Sequence, residues 1–302
     1  MSARLVGSMF ALLASLGVCD VDAQSIGSGS IGGGNIGSGS IGIGDSGGTG
    51  SAGDPCGSLP GSPLYVFDGD NVDGLGNTTL SNGSYVGTWV NLGSVGTAGN
   101  ATQVPGPRQP TFETGALNGH PAVSFDGVSD WLEIGASATN MTSFLANKRG
   151  HIVIVYRHDA NKVTGYGQLF SNSNSSSIPG YQWGINANGT AFVYVVGASS
   201  TFKGIDPSTS PPLTTWKWHQ LKSDATTLSY QQYGNSAQTV SIASGFTTSA
   251  SALPGNVSIG SRTGSITEAV DGAVAFVAYY SDQLSAGNQT ALETWLTCRY
   301  AF

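Results

Sequence analysis

The sequence predicts an all-β fold: an antiparallel sandwich with a short C-terminal helix, preceded by a Gly/Ser/Ile-rich low-complexity segment. Three observations predict it. Short apolar or β-branched runs recur from Leu64 to Tyr280, and many short strands at regular spacing specify a sandwich. Turn signals punctuate them, notably Asp126-Gly127 and Asn186-Ala-Asn-Gly189, the latter a hairpin signal. Helical periodicity is confined to the end, where Ser285 stands at a cap position and Leu292, Trp295 and Leu296 share one face.

In chain order, residues 1–23 read as a secretory signal. Arg4 gives a basic start, Leu5 to Val18 is apolar but too short to span a bilayer, and Val21-Asp22-Ala23 offers a small-residue cleavage site. Residues 24–55 form the second region. Within it Ser25 to Gly44 divides into five-residue units with Ile at 26, 31, 36 and 41. A period of five fits neither helix nor flat strand. It suits a flexible Gly/Ser tether, or a β-solenoid coil that must stack on another copy to be stable.

Residues 56–302 read as the globular domain. Leu64–Phe67 is a strand, followed by the turn-rich Asp68 to Gly74. Tyr85–Leu92 carries Val86, Trp89 and Leu92. His151–Tyr156 is nearly all apolar and β-branched, as a central strand should be. Further strands are expected at Tyr166–Phe170, Tyr181–Ile185, Ala191–Val196, Trp216–Ser223, Thr227–Tyr233, Thr239–Ile242, Val257–Gly260 and Gly272–Tyr280.

Charge narrows the partners. Only 10% of residues are charged, the net charge is −7, and the 11 Lys and Arg form no cluster. A nucleic-acid partner needs a basic stripe, so that class is excluded. No membrane span is expected after signal removal.

Two segments carry a family resemblance. Ala116 to Ile134 contains Phe125-Asp126-Gly127 and Asp130-Trp131, read as strand, tight turn, strand. Asp271-Gly272 opens a long buried strand that ends in the Leu284-Ser285 helix start. Together with Phe67 to Gly74, Gly87 to Leu92 and Pro110-Thr111-Phe112, they resemble the laminin-G-like, concanavalin A-like jelly roll. The resemblance spans residues 56–302, the middle third by strand pattern alone. It implies an extracellular domain that binds glycans or protein surfaces; only some branches are enzymes. In such a fold both termini can lie side by side. Loss of Cys19 with the signal leaves Cys56 and Cys298 at the domain's edges, so a disulfide between them is expected.

No catalytic signature is present. Glucanases of this fold place two carboxylates about 5 Å apart, in a pattern absent here. Glu133 stands alone, and Glu268 and Asp271 are three apart. The lyase motifs and a nucleophile elbow are also missing, and His120, His151, His158 and His219 have no metal-ligand spacing. No cofactor is expected beyond a structural calcium ion, for which the acidic turn Asp68, Asp70, Asp73 is the candidate. Candidate ligand-binding residues are the aromatics Tyr181, Trp183, Tyr194, Trp216 and Trp218, which could stack on sugars or fill the core. Sequons at Asn77, Asn82, Asn100, Asn140, Asn174, Asn188, Asn256 and Asn288 are surface candidates if a host glycosylates them.

The sequence thus predicts a secreted, non-catalytic module binding glycans or extracellular proteins. Two alternatives stand beside it. One is a self-assembling subunit of a surface layer, fibre or virion joined through residues 25–44. The other is a polysaccharide-degrading enzyme of the same fold.

Overall fold

A computed structural model describes residues 55–134, 149–160, 165–172, 180–196, 202–206, 213–242, 256–262 and 268–302. The expected signal segment, the pentad repeat and the sequons Asn140 and Asn174 lie outside the described residues.

The strands are β1 (Tyr65–Asp68), β2 (Thr88–Trp89), β3 (Ala101–Thr102), β4 (Thr111–Gly115), β5 (Gly119–Asp126), β6 (Leu132–Ile134), β7 (Arg149–His158), β8 (Tyr166–Ser171), β9 (Gly180–Asn186), β10 (Ala191–Val196), β11 (Phe202–Ile205), β12 (Trp216–Asp224), β13 (Thr227–Gln232), β14 (Gln238–Ser241), β15 (Val257–Ile259) and β16 (Asp271–Tyr280), followed by helix α1 (Ala286–Tyr300). They form two antiparallel sheets. The first runs β14-β13-β12-β7-β16-β5-β4, with β1 also pairing to β16. The second runs β11-β10-β9-β8-β15-β6-β3-β2.

Two apolar layers explain the sequence pattern. Between the sheets lie Tyr65, Phe67, Trp89, Ile152, Ile154, Tyr181, Trp183, Val193 and Val277. On the far side of the first sheet, α1 packs Leu292, Trp295, Leu296 and Tyr300 onto Val153, Val155, Phe276 and Ala278. The middles of β7 and β16 are therefore buried on both faces and read as continuous apolar runs. A bulge between Val274 and Phe276 shifts the phase of β16, so Val277 meets the inter-sheet core while Phe276 meets the helix.

Two expectations change in detail. The Asp126-Gly127 turn does not join paired strands: β5 belongs to the first sheet and β6 to the second. Asp126 Oδ1 accepts from the amides of Val128, Ser129 and Asp130, which shapes the crossing from one sheet to the other. The Tyr85–Leu92 run forms only the two-residue β2, whose Trp89 is buried and donates its indole N–H to the Asp68 carbonyl.

Helix α1 is capped as expected, with Ser285 Oγ accepting from the Asn288 amide at 3.3 Å. Cys298 on this helix is bonded to Cys56, with Cα atoms 5.6 Å apart. A disulfide suits an oxidising compartment. Among the described residues no helix is long and apolar enough to cross a membrane.

Candidate functional site

The second sheet carries α1 on neither face, and its outer side is polar. In β9, Tyr181, Trp183 and Ile185 turn into the inter-sheet core, as do Ala191, Val193 and Val195 of β10. Strand alternation then places Gln182, Gly184, Phe192 and Tyr194 on the opposite face. The register aligns one transverse row across seven strands: Thr102, Glu133, Ser258, Ser171, Gln182, Tyr194 and Gly204. Six of the seven carry a polar side chain, but Ser258 and Ser171 are fully buried and Gln182 is 6% exposed, so only the two ends of the row reach solvent. Each lies one strand, about 4.8 Å, from its neighbour.

The row ends in an aromatic platform. Phe192 and Tyr194 stack with centroids 5.1 Å apart, and the ring of Tyr166 meets Phe192 edge-on at 5.4 Å. Tyr166 is 40% exposed and Tyr194 is half-buried. Two glycines let these rings lie against the sheet. A Cβ on Gly204 would sit 2.2 Å from Tyr194 Cδ1, and one on Gly184 2.9 Å from Phe192 Cζ. Tyr194 Oη donates to the Asp206 carboxylate at 2.8 Å. Burial, and then this carboxylate, push the Tyr194 phenol up to about 12, so it stays protonated and its ring is held in place.

Polar groups flank the platform. Gln168, fully buried, donates Nε2 to Glu268 at 2.7 Å, and Glu268 pairs with Arg262 at 2.7 Å. Gln168 Oε1 is buried with no hydrogen-bond partner among the described residues. Glu133 accepts from Asn256 Nδ2 at 2.7 Å; burial raises its carboxyl above the usual range, against the pull of that hydrogen bond.

The sequence candidates separate. Tyr194 stands on this platform. Tyr181 and Trp183 do not: both are fully buried between the sheets, because their side of β9 is the inward one. Trp216 is half-buried on the other sheet, with its Nε1 donating to the Ala116 carbonyl and the Arg157 guanidinium 5.1 Å above its ring. Trp218 is 3% exposed beneath the end of α1. It lines a cleft of about 440 Å³ with Tyr233, Thr290, Glu293, Thr294 and Thr297. Tyr166, Phe192, Gln168, Arg262 and Glu268 went unread as site residues. The alternation of β10 was the one signal that could have paired Phe192 with Tyr194.

The acidic turn does not converge as a ligand set. Asp68 and Asp70 each take an Arg299 hydrogen bond at 2.8 Å, and Asp70 also takes His120 Nδ1 at 2.6 Å. Asp73 points elsewhere. Burial works against its ionisation, but the amides of Leu75, Asn77 and Thr79 and the Thr79 hydroxyl outweigh it and hold the carboxyl at about 2. Among the described residues no group of three or more His, Cys, Asp or Glu is placed to hold a metal ion. The histidines are likewise separate: His151 meets Gln220, and His219 meets the Tyr230 hydroxyl, its ring pushed down to about 3 by burial.

His120 gives this cluster a pH dependence. Its hydrogen bond to Asp70 raises its pKa, burial and Arg299 oppose the rise, and Tyr300 packs edge-on against the ring. A raised folded pKa means that the contribution is complete below the ordinary value near 6.5 and is lost as pH climbs through the folded value. Unfolding measured from pH 6 to 9 should therefore show a stability loss that a His120→Gln variant lacks. Parallel profiles would refute that role.

The sequons divide too. Asn82, Asn188 and Asn288 are exposed. Asn77, Asn100 and Asn256 are half-buried, with side chains bonded to Gly69 and Val72, to Asn91, and to Glu133 respectively.

No protein-family model matches the chain, and no curated protein is similar to it in sequence. Solved structures are similar in fold. Domain 4 of AbnA, a GH43 extracellular arabinanase from Geobacillus stearothermophilus solved with arabinotriose, aligns at 11% identity and TM-score 0.53, over 78% of this chain and 98% of that one. The receptor binding domain of botulinum neurotoxin C/D mosaic serotype aligns at 12% identity and TM-score 0.52, over 78% of this chain and 51% of that one. The Ruminococcus gnavus IT-sialidase CBM40 aligns at 17% identity and TM-score 0.43, over 52% of this chain and 87% of that one. The chain has a jelly-roll-type β-sandwich fold.

Proposed function

We propose that this protein is a secreted, non-catalytic glycan-binding module whose binding face is the outer side of the second sheet. The narrower laminin-G-like assignment belongs to this reading; it rests on the Phe125-Asp126-Gly127 pattern and the Asp271-to-helix ending. The observation that carries the function is the platform at the end of the row, where Tyr166, 40% exposed, and the half-buried Tyr194 stand against the buried Phe192. Sugar rings present apolar C–H faces and a rim of hydroxyls. A ring set beside carboxylates and amides complements both. The arabinanase domain of similar fold, solved with arabinotriose, adds support that such a sandwich accommodates a glycan. The Cys56–Cys298 bridge supports an extracellular setting. Affinity for a short glycan should be weak, roughly mM to µM, with retention gained from several copies acting together.

The test is titration calorimetry against a panel of oligosaccharides, with product analysis alongside. Tyr194→Ala should weaken binding about tenfold, as loss of one stacking ring does. Gly204→Ala should do the same, because its methyl group displaces the Tyr194 ring. Binding unaffected by both would remove this face from the account. Steady release of new reducing ends or unsaturated uronates would show an enzyme instead.

A further inference from the structure

Tyr194 and Asp206 hold each other at the exposed end of the platform. Tyr194 Oη lies 2.8 Å from each oxygen of the Asp206 carboxylate, so the phenol sits in the fork between them. One proton fills that fork. A carboxylate has about four lone-pair sites, so an outer one on each oxygen is left to accept, and Asp206 is exposed. Asp206 also stands on the ring's side of the sheet. Ile205 belongs to the inter-sheet core, and alternation turns its neighbours Gly204 and Asp206 outward. The Tyr194 ring lies over Gly204, where a Cβ would meet its Cδ1 at 2.2 Å. One face of the ring is therefore held by the sheet, which leaves the other to a ligand.

We infer that Asp206 is the specificity-determining residue of this site: a sugar stacked on the outward face of Tyr194 donates one unsubstituted hydroxyl to an outer lone pair of the Asp206 carboxylate. The inference rests on the glycan-binding reading and narrows its ligand class to sugars that carry a free hydroxyl at that edge. A stacked sugar holds its hydroxyls around its rim, and Asp206 stands at the hydroxyl edge of the tyrosine. An ionised acceptor makes the stronger class of hydrogen bond. The fork itself is closed to a vicinal pair of hydroxyls, because the Tyr194 phenol occupies it. Phenylalanine at 194 would keep the ring and open the fork.

The experiment titrates the full protein with cellotetraose, mannotetraose and arabinotetraose, each beside its fully O-methylated form. Methylation keeps the apolar C–H face and removes every donor. The wild type should favour the free form of its preferred sugar by tenfold or more, as loss of a hydrogen bond to a charged group does. Asp206→Asn keeps an acceptor for the Tyr194 hydroxyl; it should weaken the free form at least threefold and leave the methylated form unchanged. Tyr194→Phe should preserve or increase the preference for the free form, whereas Tyr194→Ala should weaken both forms. If Asp206→Asn leaves the wild-type preference intact, the inference is overturned and glycan binding stands. The same holds if Asp206→Asn and Tyr194→Phe weaken both forms equally, since Asp206 would then serve only to hold the ring. Absence of binding to every tetrasaccharide overturns the reading beneath it, and the inference with it.

Discussion

Replacing Cys56 and Cys298 by serine is expected to lower stability by about 2–5 kcal/mol. The bridge spans a sequence separation of 242 residues. In the chain-entropy view a loop of that size lies at the upper end of the effect. It also ties α1 to the start of the domain, where Trp295 Nε1 donates to the Gly57 carbonyl and Tyr280 Oη to the Pro60 carbonyl. Loss of the bridge should therefore loosen the helix first. Chemical denaturation with and without reductant measures the change, and hydrogen exchange locates it. Equal midpoints in the two conditions would mean that the helix packing alone holds this end.

Arg299→Met is expected to cost about 3 kcal/mol, because it leaves Asp68 buried without its cation. The two side chains are 11% and 7% exposed and meet at 2.8 Å. Burial pushes the Asp68 carboxyl up, and Arg299 is the largest influence holding it down. Methionine keeps the aliphatic stem but removes the guanidinium, which stands 5.1 Å over the Trp295 ring and 5.7 Å over Tyr300, so the loss reports the ion pair and these ring contacts together. Asp68→Asn placed in the same chain should recover part of the loss, since the amide oxygen still accepts from the Asp70 amide. A double variant no more stable than Arg299→Met would show that the pair is not coupled.

Much of the fold was legible because strand burial leaves a mark on sequence. His151–Tyr156 and Asp271–Tyr280 read as continuous apolar runs, and they are the strands covered on both faces. Leu292, Trp295 and Leu296 gave the helix its buried side. The binding face was harder. Alternation shows that Tyr181 and Trp183 oppose Gln182 and Gly184, but it does not say which side faces the partner sheet. That depends on pairings between residues far apart, such as Tyr194 with Gly204 and Ser258 with Ser171. Trp218 was misleading for a related reason. It lies on an outer sheet face, yet α1 arrives about seventy residues later in the chain and covers it. The acidic turn looked like a cation site because its counter-charge, Arg299, is 231 residues from Asp68.

The most direct test of the central claim is chemical-shift mapping with the tightest-binding oligosaccharide. Backbone amides of Tyr166, Tyr194, Gly204 and Asp206, at the exposed end of the row, should shift together during the titration, while those of α1 stay still. Shifts gathered instead around Tyr233, Thr290 and Thr294, in the cleft beside α1, would contradict it.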